Sequence, residues 1–143
     1  MKQLTRVFLA VFVGVLLFVG VQSLTQPAGE VGEKQITVQV IISENNEVIF
    51  EKTYRTDAVW LSEVLEEINA NGWLDVTFAG SKDDPYGRFI LGLGEYITED
   101  LSTGPWWMYY SLTNQDCVEA GYCSGIDMAP VYDLDEFVFE FSN

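Results

Sequence analysis

Hydrophobic and polar residues alternate near the start of the polar part of the chain, which predicts a β-hairpin. In the stretch QITVQVIIS the apolar residues occupy every second position: Ile36, Val38, Val40 and Ile42. Turn-forming residues follow at Glu44–Asn46, and EVIFEKTY comes directly after them. We therefore expect two neighbouring strands, with one face of the first strand buried.

The pattern changes to a helical period after this hairpin. The apolar residues then recur three or four positions apart and form one stripe: Trp60, Leu61, Val64, Leu65 and Ile68. The glutamates between them are expected to face water: Glu63, Glu66 and Glu67. Thr56 or Asp57 is expected to cap the start of the helix, and Asn71-Gly72 to end it.

Alternation returns in the second half of the chain and predicts further strands. WLDVTFAG alternates through Leu74, Val76 and Phe78, and a short strand is expected from Phe89. The segment DEFVFEFSN places three aromatic residues on one face: Phe137, Phe139 and Phe141. A hairpin, one helix and then several strands predict an α+β fold, a mixed sheet with one packed helix, for which a β-grasp is the simplest arrangement.

The stretch PWWMYYSL is a predicted strand with large side chains on both faces. Trp106, Met108 and Tyr110 would point one way, and Trp107 and Tyr109 the other. Rings on both faces cannot all pack against a single helix. We therefore expect one face in the core and the other covered by a loop, a partner or a ligand. The pattern alone leaves open which face is which.

Composition and charge narrow the classes of function. The 143 residues include 22 acidic and 7 basic ones, for a formal net charge of −15, which disfavours binding to nucleic acid or to anionic lipid. Histidine is absent, so catalysis and metal binding through imidazole are excluded. No calcium-loop spacing and no matched pair of carboxylates is present, so we predict a non-catalytic protein without a metal site.

The first residues resemble an export signal. Lys2 and Arg6 precede a run from Val7 to Val21 that is entirely apolar or glycine, and the next charged residue is Glu30. Residues 1–24 are therefore a predicted signal peptide or membrane anchor. Cleavage after Ser23 and retention as an anchor both stay open. Residues 25–34 form a predicted linker, residues 35–143 the domain, and either alternative places that domain outside the cytoplasm.

Cys117 and Cys123 are the only cysteines in the chain. In an oxidising compartment two cysteines so close in sequence favour a structural disulfide, with two free thiols as the alternative. A bond that closes so short a loop would contribute about 2 kcal/mol and would hold the shape of a surface loop.

Two segments resemble the transcobalamin-like C-terminal domain family, a domain of unknown function common in bacterial exported proteins. They are RFILGLGEYITEDLSTGPWWMYYS and CSGIDMAPVYDLDEFVFEF. The matching elements are Phe89–Gly94, Trp107–Tyr110, Gly125-Ile126-Asp127 and Asp133–Phe139, and the resemblance extends from about Gln35 to Phe141. The usual Asn-Gly turn is replaced here by the longer, cysteine-bearing LTNQDCVEAGYCSG. Leu134-Asp135 stands where the family usually has Gly-Asp.

The resemblance implies a β-grasp domain that binds a soluble ligand. In animal vitamin B12 carriers such a domain covers one face of cobalamin, so a cobalamin-like corrinoid is the candidate ligand and membrane uptake the candidate setting. The larger helical domain of those carriers is absent from these 143 residues. We expect Trp106, Tyr110 and Tyr122 to stack on a planar ligand, and Asn114 and Asp116 to orient it. The alternative is a protein-interaction module that docks a membrane transporter or another cell-surface protein on the same aromatic edge.

Overall fold

The structure is a computed structural model that describes residues 31–142. The predicted signal or anchor segment and most of the predicted linker lie outside the described residues. Seven strands and two helices follow one another: β1 (Lys34–Ile42), β2 (Glu47–Thr56), α1 (Leu61–Ala70), β3 (Val76–Ala79), β4 (Phe89–Leu93), β5 (Tyr96–Ile97), β6 (Trp106–Tyr110), α2 (Gln115–Ala120) and β7 (Glu136–Ser142). Neither helix in this part of the chain has the length and apolar character that crossing a bilayer requires.

The main sheet has four strands in the order β2-β1-β7-β6. The two central strands, β1 and β7, are parallel, and each pairs with an antiparallel neighbour on its other side. Helix α1 follows the β1–β2 hairpin. Parallel central strands flanked by antiparallel ones, with a helix after the first hairpin, are the arrangement of a β-grasp. The predicted α+β fold with a mixed sheet is therefore confirmed.

A second, smaller sheet has the order β3-β4-β5. The turn between β4 and β5 contains Gly94, whose φ of +61° lies in the left-handed region that favours glycine. The indole N–H of Trp107, in β6, donates to the backbone carbonyl of Tyr96, in β5, at 3.2 Å. This hydrogen bond connects the second sheet to the edge of the main one.

The core lies between α1 and one face of the main sheet. The alternating residues of β1 and the aromatic residues Phe137 and Phe139 of β7 are buried there. The predicted stripe of α1 contributes Leu61, Val64, Leu65 and Ile68, all at most 1% exposed. Burying side chains of this size stabilises a fold by about 1.5–3 kcal/mol each. Trp60 differs from the prediction because it precedes the helix and is only half-buried.

The start of α1 is capped differently from the prediction. Neither Thr56 nor Asp57 caps the helix, because it begins at Leu61. The carboxylate of Glu63 instead accepts hydrogen bonds from the backbone N–H groups of Val59 at 2.7 Å and Trp60 at 3.0 Å. A carboxylate in the first turn can reach back to these groups, and its charge also suits the positive end of the helix dipole.

The sequence pattern predicted that the glutamates of α1 face water, but two of them contact other segments of the chain. Glu66 makes ion pairs with Lys82 at 3.0 Å and with Arg88 at 2.8 Å. Glu67 accepts a hydrogen bond from the hydroxyl of Thr56 at 2.6 Å. These partners come from other segments, so the helical pattern alone gave no sign of them. The predicted end of the helix is confirmed, with Asn71 as its last capping residue and Gly72 at a φ of +64°.

Candidate functional site

The two faces of β6 have different surroundings. Trp107 and Tyr109 point into the protein, where the ring of Trp107 lies 4.7 Å from that of Phe141 and the ring of Tyr109 stacks 5.4 Å from that of Phe139. Trp106, Met108 and Tyr110 are 38%, 55% and 42% exposed on the opposite face. This settles the alternative that the sequence left open.

The hydrogen bonds of β7 show which way its backbone groups point. The N–H of Ser43, directly after β1, donates to the carbonyl of Phe141 at 3.1 Å. In a strand, the N–H and C=O groups of successive residues point alternately to the two neighbouring strands. Phe141 therefore faces β1, while Val138 and Glu140 face β6.

The register then gives the direction of the backbone groups in β6. Met108 pairs with Glu140 and Tyr110 with Val138, so Met108 and Tyr110 direct their backbone groups toward β7. Trp107 and Tyr109 alternate with these two residues along the strand. Their backbone groups therefore point away from β7. Since β6 is the last strand of the main sheet and no described strand pairs with its outer side, these groups lie at a free sheet edge.

Helix α2 lies beyond this edge, in a region that was predicted as a loop. Asn114 caps its start, accepting a hydrogen bond from the N–H of Cys117 at 3.1 Å. The side-chain amide of Asn114 also donates to the carbonyl of Pro130 at 2.9 Å and to the carboxylate of Asp135 at 2.6 Å. Gly121 ends the helix with a φ of +79°. Asn114 thus attaches α2 to the segment leading into β7.

The predicted disulfide is present between Cys117 and Cys123, with a sulfur–sulfur distance of 2.05 Å. Residues 31–142 contain no free cysteine. The bond joins the buried face of α2 to the turn that follows the helix. This turn carries Tyr122, whose side chain is 73% exposed.

A groove of about 680 Å³ runs between the edge of β6 and α2, and we call it the β6–α2 groove. One wall consists of five consecutive residues, 108–112, and the other of residues from α2 and the turn after it: Cys117, Val118, Gly121, Tyr122 and Cys123. A sheet face would contribute every second residue, so a consecutive run indicates that the wall is the strand edge and its continuation. Leu112 and Val118 are 83% and 56% exposed beside it.

A smaller cavity of about 320 Å³ shares Cys117 and Tyr122 with the groove. Asn114, Asp116 and Met128 are among its lining residues. The carboxylate of Asp116 accepts a hydrogen bond from the hydroxyl of Tyr132 at 2.9 Å. Burial, together with this hydrogen bond and the charge of Asp116, raises the pKa of the Tyr132 phenol to about 12.

The five residues singled out in the sequence do not form one site. Tyr110 and Tyr122 line the β6–α2 groove, whereas Asn114, Asp116 and again Tyr122 line the smaller cavity. Trp106 lines neither, and its indole N–H donates to the carbonyl of Leu101 at 3.0 Å. Asn114 is 1% exposed and its amide is occupied inside the protein, so we leave it out of the proposed ligand site.

Three exposed apolar side chains of the groove were not predicted as site residues: Met108, Leu112 and Val118. Met108 was recognised only as part of an alternating strand. Leu112 is the last residue of the predicted strand PWWMYYSL, and Val118 lies in the stretch predicted as a loop. An N-capping residue at Asn114 and a helix-ending glycine at Gly121 were signals that could have identified α2. A helix there would have placed Val118 opposite the strand.

Arg88 and Asp127 connect two loops beside the core. The guanidinium of Arg88 donates to both carboxylate oxygens of Asp127, with a shortest distance of 2.7 Å, and the backbone N–H of Arg88 donates to the same group at 2.7 Å. Arg88 also pairs with Glu66 of α1. Desolvation acts to raise the pKa of Asp127, but the hydrogen bonds from Arg88 outweigh it and hold that pKa at about 2.

The acidic residues just before β7 accept hydrogen bonds from backbone N–H groups. The carboxylate of Asp133 accepts from the N–H of Gln35 at 2.8 Å, and that of Asp135 accepts from the N–H of Tyr132 at 2.9 Å. Within residues 31–142, no three or more cysteine or carboxylate side chains converge on a position that could hold a metal ion.

No family model matches the chain, and no curated protein matches it. A similar solved structure is the crystal structure, at 1.30 Å resolution, of a protein from Ruminococcus gnavus ATCC 29149 called a "putative metal binding protein". The two share 27% sequence identity, the match covers 75% of this chain and 94% of that one, and the TM-score is 0.47.

Proposed function

We propose that this chain is an exported, non-catalytic binding domain whose ligand lies in the β6–α2 groove. The observation that supports this most strongly is the groove itself, about 680 Å³ in volume and lined by apolar and aromatic side chains. Monomeric proteins seldom leave such side chains together at the surface unless something binds there. Tyr110, Leu112, Val118 and Tyr122 are all exposed at this place.

The lining of the groove indicates what kind of ligand surface it would accept. No charged side chain lines it, and the polar groups of its lining are the hydroxyls of Ser111 and of three tyrosines, Tyr109, Tyr110 and Tyr122. A neutral ligand surface with apolar or aromatic character fits such a lining, and Tyr110 and Tyr122 offer ring faces for stacking. The resemblance of the sequence makes a corrinoid the first small molecule to test, with presentation to a membrane transporter as its setting.

A polypeptide is the second candidate ligand. The observation that favours it is the free edge of β6, where backbone donors and acceptors stand beside the same apolar side chains. In that case the domain would be a cell-surface interaction module. The two candidates differ in what contacts the strand edge, since a small molecule needs the side chains and a polypeptide also needs the backbone.

Titration of the purified full-length chain with cobalamin and with cobinamide tests the small-molecule candidate. We expect saturable heat and quenching of tryptophan fluorescence. In Tyr122→Ala we expect affinity to fall by about tenfold or more, because one stacking face is lost. Tyr86→Ala is the matched control, since Tyr86 is 84% exposed and lies outside the groove. No signal at about 1 mM ligand would remove the corrinoid and leave the polypeptide.

A further inference from the structure

We infer that the outer edge of β6 accepts an added β-strand from an extended, basic segment of another polypeptide. This inference rests on the proposed function, because it assigns the class of ligand to the same β6–α2 groove. It differs from that proposal in requiring contacts to the backbone of β6 in addition to the side chains. Addition of a strand to a free sheet edge is a recurrent mode of peptide recognition, in which backbone hydrogen bonds supply affinity and side-chain pockets supply specificity.

The edge of β6 has what strand addition needs. Trp107 and Tyr109 direct their N–H and C=O groups away from β7, and no described strand pairs with them. Proteins usually protect such an edge with charged side chains or proline within the strand. The five residues of β6 include neither. The other edge of the main sheet differs, since β2 carries four charged side chains: Glu47, Glu51, Lys52 and Arg55.

The surroundings of the edge suit an extended chain. Neighbouring strands lie about 4.8 Å apart, so an added strand would run within the groove between β6 and α2. Its side chains would point alternately to the two sides of the sheet. On the outer side they would lie beside Met108 and Tyr110, while the far wall of the groove, with Val118 and Tyr122, would face the added strand. Apolar residues in the added strand would therefore be covered.

Charge determines which polypeptide fits. Acidic side chains lie on the elements that flank the groove, although none of them lines it: Asp116 and Glu119 belong to α2, and Glu140 of β7 pairs with Met108. The basic side chains of the described residues lie elsewhere. Lys34, Lys52 and Arg55 belong to β1 and β2, while Lys82 and Arg88 pair with Glu66.

A basic partner is therefore attracted to the groove, whereas a second copy of this chain would bring another net charge of −15. Charge complementarity thus favours a different polypeptide over self-association. We commit to an extended segment with apolar residues at alternate positions and lysine or arginine at its ends.

A fluorescent peptide of alternating valine and threonine flanked by lysines tests the inference on the purified full-length chain. Three further probes complete the set: the same peptide with glutamates in place of the lysines, a version N-methylated at alternate residues, and cobinamide. We expect the lysine peptide to bind saturably, and the glutamate peptide at least about tenfold more weakly because of charge repulsion. The N-methylated peptide should also bind at least about tenfold more weakly, since it lacks the donors that a ladder requires.

Two protein variants locate the binding. Met108→Lys introduces a protecting charge on the free edge, at a side chain that is 55% exposed. Val48→Lys makes the same kind of change on the opposite edge strand, at a side chain that is 48% exposed. We expect the first variant to weaken peptide binding about tenfold or more and the second to leave it within about twofold. In nuclear magnetic resonance spectra, the largest backbone amide shifts should fall at Trp107 and Tyr109.

The outcomes separate the inference from the function on which it rests. Equal binding of the N-methylated peptide, or equal loss in both variants, would overturn strand addition. Binding of cobinamide without binding of the lysine peptide would overturn the inference and leave the proposed function standing. Absence of binding by every probe would refute both.

Discussion

Replacing Asp127 with asparagine removes the charge that joins two loops of the domain. Asp127 lies between α2 and β7, and Arg88 lies directly before β4. The two side chains are 9% and 14% exposed, so water screens their attraction only weakly. Asparagine can still accept the backbone hydrogen bond of Arg88, and it keeps the shape of the side chain. The substitution therefore tests the charge more than the packing.

The lowered pKa of Asp127 gives the magnitude. A fall from the usual 3.8 to about 2 corresponds to about 2.5 kcal/mol of folding free energy, at about 1.4 kcal/mol for each tenfold change in proton affinity. Because the pKa is lower in the folded chain, this contribution is complete well above 3.8 and is lost as the pH falls toward 2. At about pH 3 roughly half of it remains, about 1.3 kcal/mol.

Urea unfolding followed by circular dichroism measures this contribution directly. We expect Asp127→Asn to lower the free energy of unfolding by about 2.5 kcal/mol at neutral pH and by about half as much near pH 3. Asp83→Asn serves as the control, since Asp83 is exposed in the loop before Arg88, and it should change stability by less than about 0.5 kcal/mol. A loss for Asp127→Asn below about 1 kcal/mol, or an equal loss at both pH values, would refute the reasoning.

Three further predictions concern other parts of the domain. Asn114→Ala should cost about 3 kcal/mol in urea unfolding, because it removes a helix cap and leaves buried partners without a hydrogen bond; a loss within about 0.5 kcal/mol would contradict this role. Replacing Cys117 and Cys123 together by serine should cost about 2 kcal/mol, measured by thermal unfolding, and an unchanged melting temperature would show that the bond does not restrict the unfolded chain. Burial raises the pKa of the phenols of Tyr54 and Tyr109, so the free energy of unfolding should fall as the pH rises above about 10; constant stability at alkaline pH would contradict their burial.

Local patterns predicted much of the fold because they depend on neighbours in sequence. The alternation in β1 and the stripe of α1 place apolar residues on one face whatever the rest of the chain does. The second sheet had no comparable signal, since β5 has only two residues, Tyr96 and Ile97. Two residues show no periodicity, and the sheet exists because β4 can pair on both sides.

The candidate site was less predictable, because its parts meet only in three dimensions. Tyr110 and Tyr122 were proposed as stacking residues, but the sequence did not show that a helix would stand between their segments and form a groove. Asn114 was interpreted as a polar ligand-binding residue, but asparagine is equally typical of turns and helix caps. Arg88 and Asp127 are 39 residues apart, and no local pattern connects them.

The parallel pairing of β1 with β7 has a consequence for when the domain can fold. These central strands bring together residues about 100 positions apart, such as Thr37 and Glu136. Closing so long a loop carries an entropic cost that must be met before the contact stabilises anything, so high contact order favours slow folding. A chain that emerges from a ribosome or a translocation channel in order would have its hairpin and α1 outside while the middle of its sheet was still missing. Completion of the core therefore awaits the arrival of β7, and until then the apolar face of β1 remains available to chaperones.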